Sequence, residues 1–180
     1  EHLGDDFQPK SGYGDHPVVE VSWYGAAAYC EWAEARLPTE AQWEYAARGP
    51  ERNVFPWGDE VDGTRLNHCD ANCDRDEADQ SFDDGYARTA PVGSYPDGAS
   101  WVGALDLAGN VWEWGADWYG EYVPWEEENP TGPPTGQYRG VRGGGWGHSW
   151  HHVRAARRFG LRPIGRDSHL GFRCVGPPGE

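Results

Sequence analysis

Residues 103–114 read GALDLAGNVWEW, and how this stretch is held decides the fold. It is too apolar for a loop, yet Asp106, Gly109, Asn110 and Glu113 stand among large aromatic and branched residues. No regular period fits. Helical spacing puts Asp106, Asn110 and Glu113 on the side of Leu107 and Val111, and strand alternation fails at Ala108 and Gly109. A segment that is apolar, irregular and rich in oxygen donors is pinned by something. Two readings stand: a hard cation such as Ca²⁺, which takes about six to eight oxygens including backbone carbonyls, or a tight buried turn whose polar groups cap backbone amides.

Outward from this stretch, the 180 residues suffice for a single domain with a real core. The hydrophobic fraction is 37%, below the roughly 45–50% of ordinary domains, and eleven Trp, nine Tyr and five Phe supply volume in place of Leu and Ile. With 26 Gly and 14 Pro, much of the backbone must turn. This predicts an irregular α+β domain with a few aromatic clusters, rather than a bundle or a sandwich. The absence of Met suggests a processed product, an excised domain or a fragment. No apolar run approaches the ~20 residues of a membrane span and no signal peptide is present, so no membrane partner is expected.

Charge is unevenly spread. Residues 1–138 carry seven Lys and Arg against 28 Asp and Glu; residues 139–180 carry eight Arg against Asp167 and Glu180. A basic tail can serve a nucleic acid, but the formal charge of −15 repels a polyanion, so the arginines are expected to pair with acidic residues inside the domain. Cys69 and Cys73 are four apart with no second pair, which excludes a zinc site of the CxxC type. Disulfides 69–73 and 30–174 are conceivable and would indicate an oxidising compartment, secreted or periplasmic; free thiols in a cytoplasmic protein are the alternative.

Along the chain, residues 1–17 read as an extended lead-in. PVVEVSW alternates Val19, Val21 and Trp23, the pattern of a short strand. Ser22 caps a helix running to about Ala35 with Trp23, Ala27 and Cys30 along one face. In LPTEAQWEYAARG, Thr39 and Gln42 form a capping box, Glu44 and Arg48 an i,i+4 pair, and Gly49-Pro50 a stop. Residues 58–90 are acidic and aperiodic, to be disordered or ordered by disulfides or cations. TAPVGSYP suggests a short strand, residues 119–137 a surface loop, and YRGVRGGGW, RAARRFGL and LGFRCV further strands. Residues 176–180 are a tail.

VSWYGAAAYCEWAEARLPTEAQWEYAARG, FPWGDE, TAPVGSYP, GALDLAGNVWEW, VRGGGW and LGFRCV occur in an order that resembles the sulfatase-modifying-factor family, which includes the formylglycine-generating enzyme. The resemblance spans residues 16–175 and implies a variant of the C-type-lectin-like fold, with small antiparallel sheets, two short helices near the N-terminal half and long loops. It also implies a strand-rich segment before PVVEVSW, here absent or reduced to the lead-in, so the expected partners include the chain's own N-terminal segment or a larger parent chain.

The enzyme resembles a copper-thiolate oxidase with two cysteines shortly after its Gly run. Here that run, GGGWGHSWHHVRAARR, has no cysteine; His148 falls at the first position and Trp150 near the second. Imidazole does not replace the soft thiolates that hold Cu(I), so neither copper nor formylglycine generation is expected. The resemblance further implies two Ca²⁺ sites. One uses Asp106, Glu113 and the carbonyls of Gly109 and Val111; the other uses Asn67 (or Asn72), Asp84 and the carbonyls of His68 and Tyr86. It also pairs Cys30 with Cys174.

Two constellations remain. His148, His151 and His152 suggest a metal-dependent oxidoreductase, perturbed by the fact that neighbours 151 and 152 point in different directions on most backbones. In relatives diversified by retroelements, the last forty residues form a ligand-binding face. Its counterpart here is residues 147–149, 159–162, 164–165 and 167–169, with Trp146, His148, Trp150, Phe159, Arg162, Asp167 and His169 as candidate contacts for a protein or small molecule. A scaffold module without a ligand is the third reading.

Overall fold

In the computed structural model, described for all residues except 1, 4, 5, 8, 77, 123–127 and 177–180, two capped helices brace one small sheet. Helix α1 spans Trp23–Trp32, and the Ser22 hydroxyl accepts the Gly25 N–H at its start. It ends before Ala35, because Glu34 takes a positive φ of 55° and the Ala35 N–H closes onto the Cys30 carbonyl. Helix α2 spans Glu40–Arg48 with the expected Thr39–Gln42 capping box and the Glu44–Arg48 pair at 2.8 Å. Gly49 then turns to a φ of 65° and ends it.

His2–Leu3 (β1) and Asp6–Phe7 (β2) pair antiparallel near the N-terminus. Trp112–Trp118 (β3), Arg139–Arg142 (β4), Arg158–Leu161 (β5) and Leu170–Gly171 (β6) form the main sheet in the order β5-β4-β3-β6. β3, β4 and β5 run antiparallel, whereas β6 lies parallel to β3. The sheet is therefore mixed, not purely antiparallel. β3 is buried on both faces over most of its length, which is why no apolar–polar alternation betrays it in sequence.

Two expected strands are absent. In PVVEVSW, Glu20 adopts a φ of 56° and its N–H bonds to the Asp167 carbonyl, so the alternation of valines breaks in the middle. In TAPVGSYP, Ala90 is bonded at both N–H and C=O to the Asn110 side chain, Gly93 turns to a φ of 76°, and Pro96–Gly98 form a 3₁₀ turn. Side-chain caps have taken the backbone groups a ladder would use.

The core has three clusters. Ala26, Cys30, Leu37, Trp112, Trp114, Val141 and Leu170 join α1 to the sheet. Trp43, Ala47, Leu107 and Ala155 seat α2, and Phe55, Leu66, Ala108 and Val153 underlie the loops. Cys30–Cys174 ties α1 to the C-terminal segment, and Cys69–Cys73 closes a short loop. Three arginines of the basic tail pair inside the domain: Arg142 with Glu40 and Glu44, Arg158 with Glu40, and Arg173 with Glu113.

Among its described residues the acidic stretch 58–90 has neither helix nor strand, yet it is ordered by its own carboxylates. Asp62, Asp70, Asp79, Asp83 and Asp84 each accept the backbone N–H two residues on. These local turns need no apolar face, and the Cys69–Cys73 bond staples them. The expected lead-in, tail and 119–137 loop extend in part beyond the described residues.

Candidate functional site

The carboxyl side chain of Asp84 is wholly buried inside the acidic stretch. Its oxygens accept the N–H groups of His68 (2.9 Å) and Tyr86 (2.8 Å), and its own N–H bonds to Asp70, which is also fully buried. Among the described residues no Lys or Arg is ion-paired with Asp84 or Asp70. Burial pushes the Asp84 carboxyl up to about 6, with the charges of Asp70 and Asp83 adding to the effect. Beside it, Asn67 is fully buried with its amide donating to the Arg88 carbonyl at 2.7 Å, and its Oδ1 has no partner. An uncompensated carboxylate next to an orphaned carbonyl oxygen has the donor chemistry of a hard cation site. The opening stretch builds this group from below: the Asn110 N–H bonds to the Asn67 carbonyl at 2.8 Å. Gly109, at a φ of 77°, passes so close to that carbonyl that any side chain would collide with it.

Asp106 and Glu113 are engaged differently. Asp106 accepts the Gly93 N–H at 2.7 Å, and burial raises its carboxyl above the usual range. Glu113 accepts the Trp43 indole N–H at 2.7 Å and the Arg173 guanidinium through both oxygens, at 2.6 and 2.7 Å. Arg173 also donates to the carbonyls of Leu105 and Asp106. A guanidinium thus stands among the oxygens expected to face a cation, while Asp106 caps the Gly93 amide and Asn110 the Ala90 amide.

Of the C-terminal candidates, His148 and His152 line a cavity of about 240 Å³, together with Cys69, Arg75, Asp76, Gly147 and Ser149. His148 stands between rings, 5.4 Å from His152, 5.5 Å from His169 and 5.7 Å from Trp112. Burial, with the charges of His169, His152 and Arg75, lowers its imidazole to about 4, so it is neutral at pH 7. His151 lies apart, stacked on Trp150 at 3.5 Å; His169 takes the place expected for it. His169 stacks on Trp146 at 4.2 Å and is held at Nδ1 by Asp167. Its Nε2 meets an Arg75 guanidinium N–H at 2.9 Å. Phe159 is half exposed and tilts against Trp112, while Arg162 is exposed, its carbonyl closing a turn with Gly165. Among the described residues, no three His, Cys, Asp or Glu side chains are arranged to share one metal ion.

Sequence reading missed Asp70, Arg173, Arg75 and Asp76. Arg75 carried a signal, being the only Lys or Arg between Arg65 and Arg88 in a strongly acidic run. For the other three, the signal is a tertiary contact with no counterpart in local pattern.

Residues 2–177 match the family described as Sulfatase-modifying factor enzyme 1-like domain. The formylglycine-generating enzyme of Streptomyces coelicolor is 42% identical over 172 residues, covering 92% of this chain and 54% of that protein. The inactive C-alpha-formylglycine-generating enzyme 2 of Mus musculus is 37% identical over 171 residues, covering 91% and 50%. The chain thus spans about half the length of these curated relatives. Among solved structures, Treponema denticola variable protein 1 superimposes with a TM-score of 0.74 at 24% identity, covering 97% of this chain and 76% of that one, a likeness of fold.

Proposed function

The chain belongs to the sulfatase-modifying factor enzyme 1-like family, and on that premise we propose a calcium-stabilised domain without formylglycine-generating activity, binding a protein or small ligand through residues 146–169. One observation carries the reading. All four cysteines are in disulfides and none lies in residues 143–158, where the family resemblance implies a pair of thiolates. A disulfide sulfur offers Cu(I) no thiolate, and the imidazoles nearest that position do not converge on a point. What remains there is a cavity lined by Arg75, Asp76, His148, Ser149 and His152, polar groups of the kind that orient a ligand.

Calcium is proposed at the Asn67–Asp84 group, where the buried charge and the orphaned oxygen both call for it. Asn67 Oδ1, the Asp84 carboxylate and the carbonyls of His68 and Tyr86 would hold the ion. Bound there, it would supply the positive charge that the loop lacks. In this reading Asp106 and Glu113 serve as the internal partners of Gly93 and Arg173. The exposed Phe159, tilted against Trp112, supports the ligand-binding half.

The test is a pair of titrations on the purified domain, with Cu(I) under anaerobic conditions and with Ca²⁺. The expected result is no stoichiometric Cu(I) uptake, and saturable Ca²⁺ binding that Asp84→Asn abolishes. Tight Cu(I) binding lost in His148→Ala would replace this reading with a histidine-based oxidoreductase.

A further inference from the structure

Arg75 is an exposed side chain with an elaborate mount. One edge of its guanidinium donates to His169 Nε2 at 2.9 Å, and its central carbon lies 5.9 Å from the Trp146 ring on which His169 stacks. Because a guanidinium can only donate, Nε2 must accept. The proton of a neutral His169 therefore sits on Nδ1, facing Asp167. Asp167 fixes the tautomer and His169 presents a lone pair to Arg75. Gly147 makes the approach possible, since a Cβ there would stand 2.6 Å from His169 Nε2 and 2.9 Å from Arg75 Nη2.

Four residues thus position one cation, and among the described residues no carboxylate forms an ion pair with it. A structural arginine in this chain is treated otherwise: Arg142, Arg158 and Arg173 each end on a glutamate. Arg75 instead borders the cavity of about 240 Å³ with donors to spare. A preorganised guanidinium facing a cavity is a carboxylate receptor.

A simple anion is not the best occupant. Asp76 lines the same cavity, is exposed, and also has no ion-pair partner among the described residues, and the formal charge of −15 works against anions at long range. A ligand carrying both charges satisfies both groups and meets no net repulsion. The cavity has room for a free amino acid, whereas an internal peptide residue would bring neither charge.

We propose that this cavity binds a small zwitterion of the α-amino-acid type, its carboxylate on Arg75 and its ammonium against Asp76, with Gly147, His169 and Asp167 as positioning residues. Ser149 and the neutral His148 flank the ligand as hydrogen-bonding partners. This rests on the ligand-binding reading of residues 146–169 and names the ligand class for it.

The experiment follows the imidazole NMR resonances of His148 and His152 during titration with L-alanine, acetate and methylamine. L-alanine should give saturable shifts, and acetate and methylamine should each bind at least about tenfold more weakly, since each forfeits one charged hydrogen bond. Arg75→Gln should weaken L-alanine by about tenfold or more without changing the melting temperature, because the side chain is exposed. Gly147→Ala should weaken L-alanine likewise, by displacing a guanidinium whose charge is retained. Unchanged L-alanine binding in Arg75→Gln overturns the proposal. Acetate binding as tight as L-alanine rejects the zwitterion but keeps a ligand site at this face. Silence toward all three probes, together with silence toward a panel of short peptides, removes both.

Discussion

Asp84→Asn tests the cation site most directly, because the structure supplies both the sign and the size of the effect. The ordinary aspartate value is 3.8 and burial moves Asp84 to about 6, a gap worth ~3 kcal/mol. The carboxyl is raised in the folded state, so its contribution is fully present below about pH 3.8 and is lost as pH rises through about 6. In chelator, the wild-type domain should therefore lose ~3 kcal/mol from this group between about pH 4 and about pH 7. Asn has no charge to bury, so that pH dependence should disappear from the variant. Its amide keeps one of the two backbone acceptor roles, and the N–H of His68 or Tyr86 left unpaired costs about 1 kcal/mol. Calcium should restore the wild type at pH 7, by ~2.7 kcal/mol at a hundredfold excess over Kd, and should leave the variant unchanged. Urea unfolding of both proteins at the two pH values, with and without calcium, measures all four quantities. Parallel pH dependence in chelator, or an equal calcium gain in both proteins, would refute the reasoning.

Three further outcomes follow from the packing. Removing Cys30–Cys174 should destabilise by ~5 kcal/mol and removing Cys69–Cys73 by ~2 kcal/mol, the difference arising from loop closure over 144 against 4 residues; chemical denaturation of the two double-serine variants compares them. Arg173→Met should cost about 3–5 kcal/mol, since it leaves the buried Glu113 charged and short of two donors; a loss under 1 kcal/mol in thermal unfolding would contradict the pairing. His148 should titrate near 4 by NMR. Its folded-state value is depressed, so its contribution to stability is present above about 6.5 and lost as pH falls through about 4, and His148→Gln should flatten that acid limb.

What local chemistry could encode was legible in the chain. Thr39 and Gln42 specify the start of α2 because a capping box needs only four consecutive residues, and Ser22 does likewise for α1. The absence of cysteine after the Gly run, and the excess of arginine in the tail, were also plain from composition. Tertiary structure decided the rest where a side chain took a backbone group from a distant segment. Asn110 claims Ala90, so TAPVGSYP forms no strand despite its pattern, and Glu20 turns away from PVVEVSW to reach Asp167. The opening stretch shows the division most clearly. Its irregular, oxygen-rich sequence determined that Asp106, Asn110 and Glu113 must be pinned. Only the fold decided by what: Gly93, Ala90 and Arg173, from thirteen, twenty and sixty residues away. Such partners carry no periodicity, because a buried charge or amide is satisfied by whichever complementary group the packing delivers.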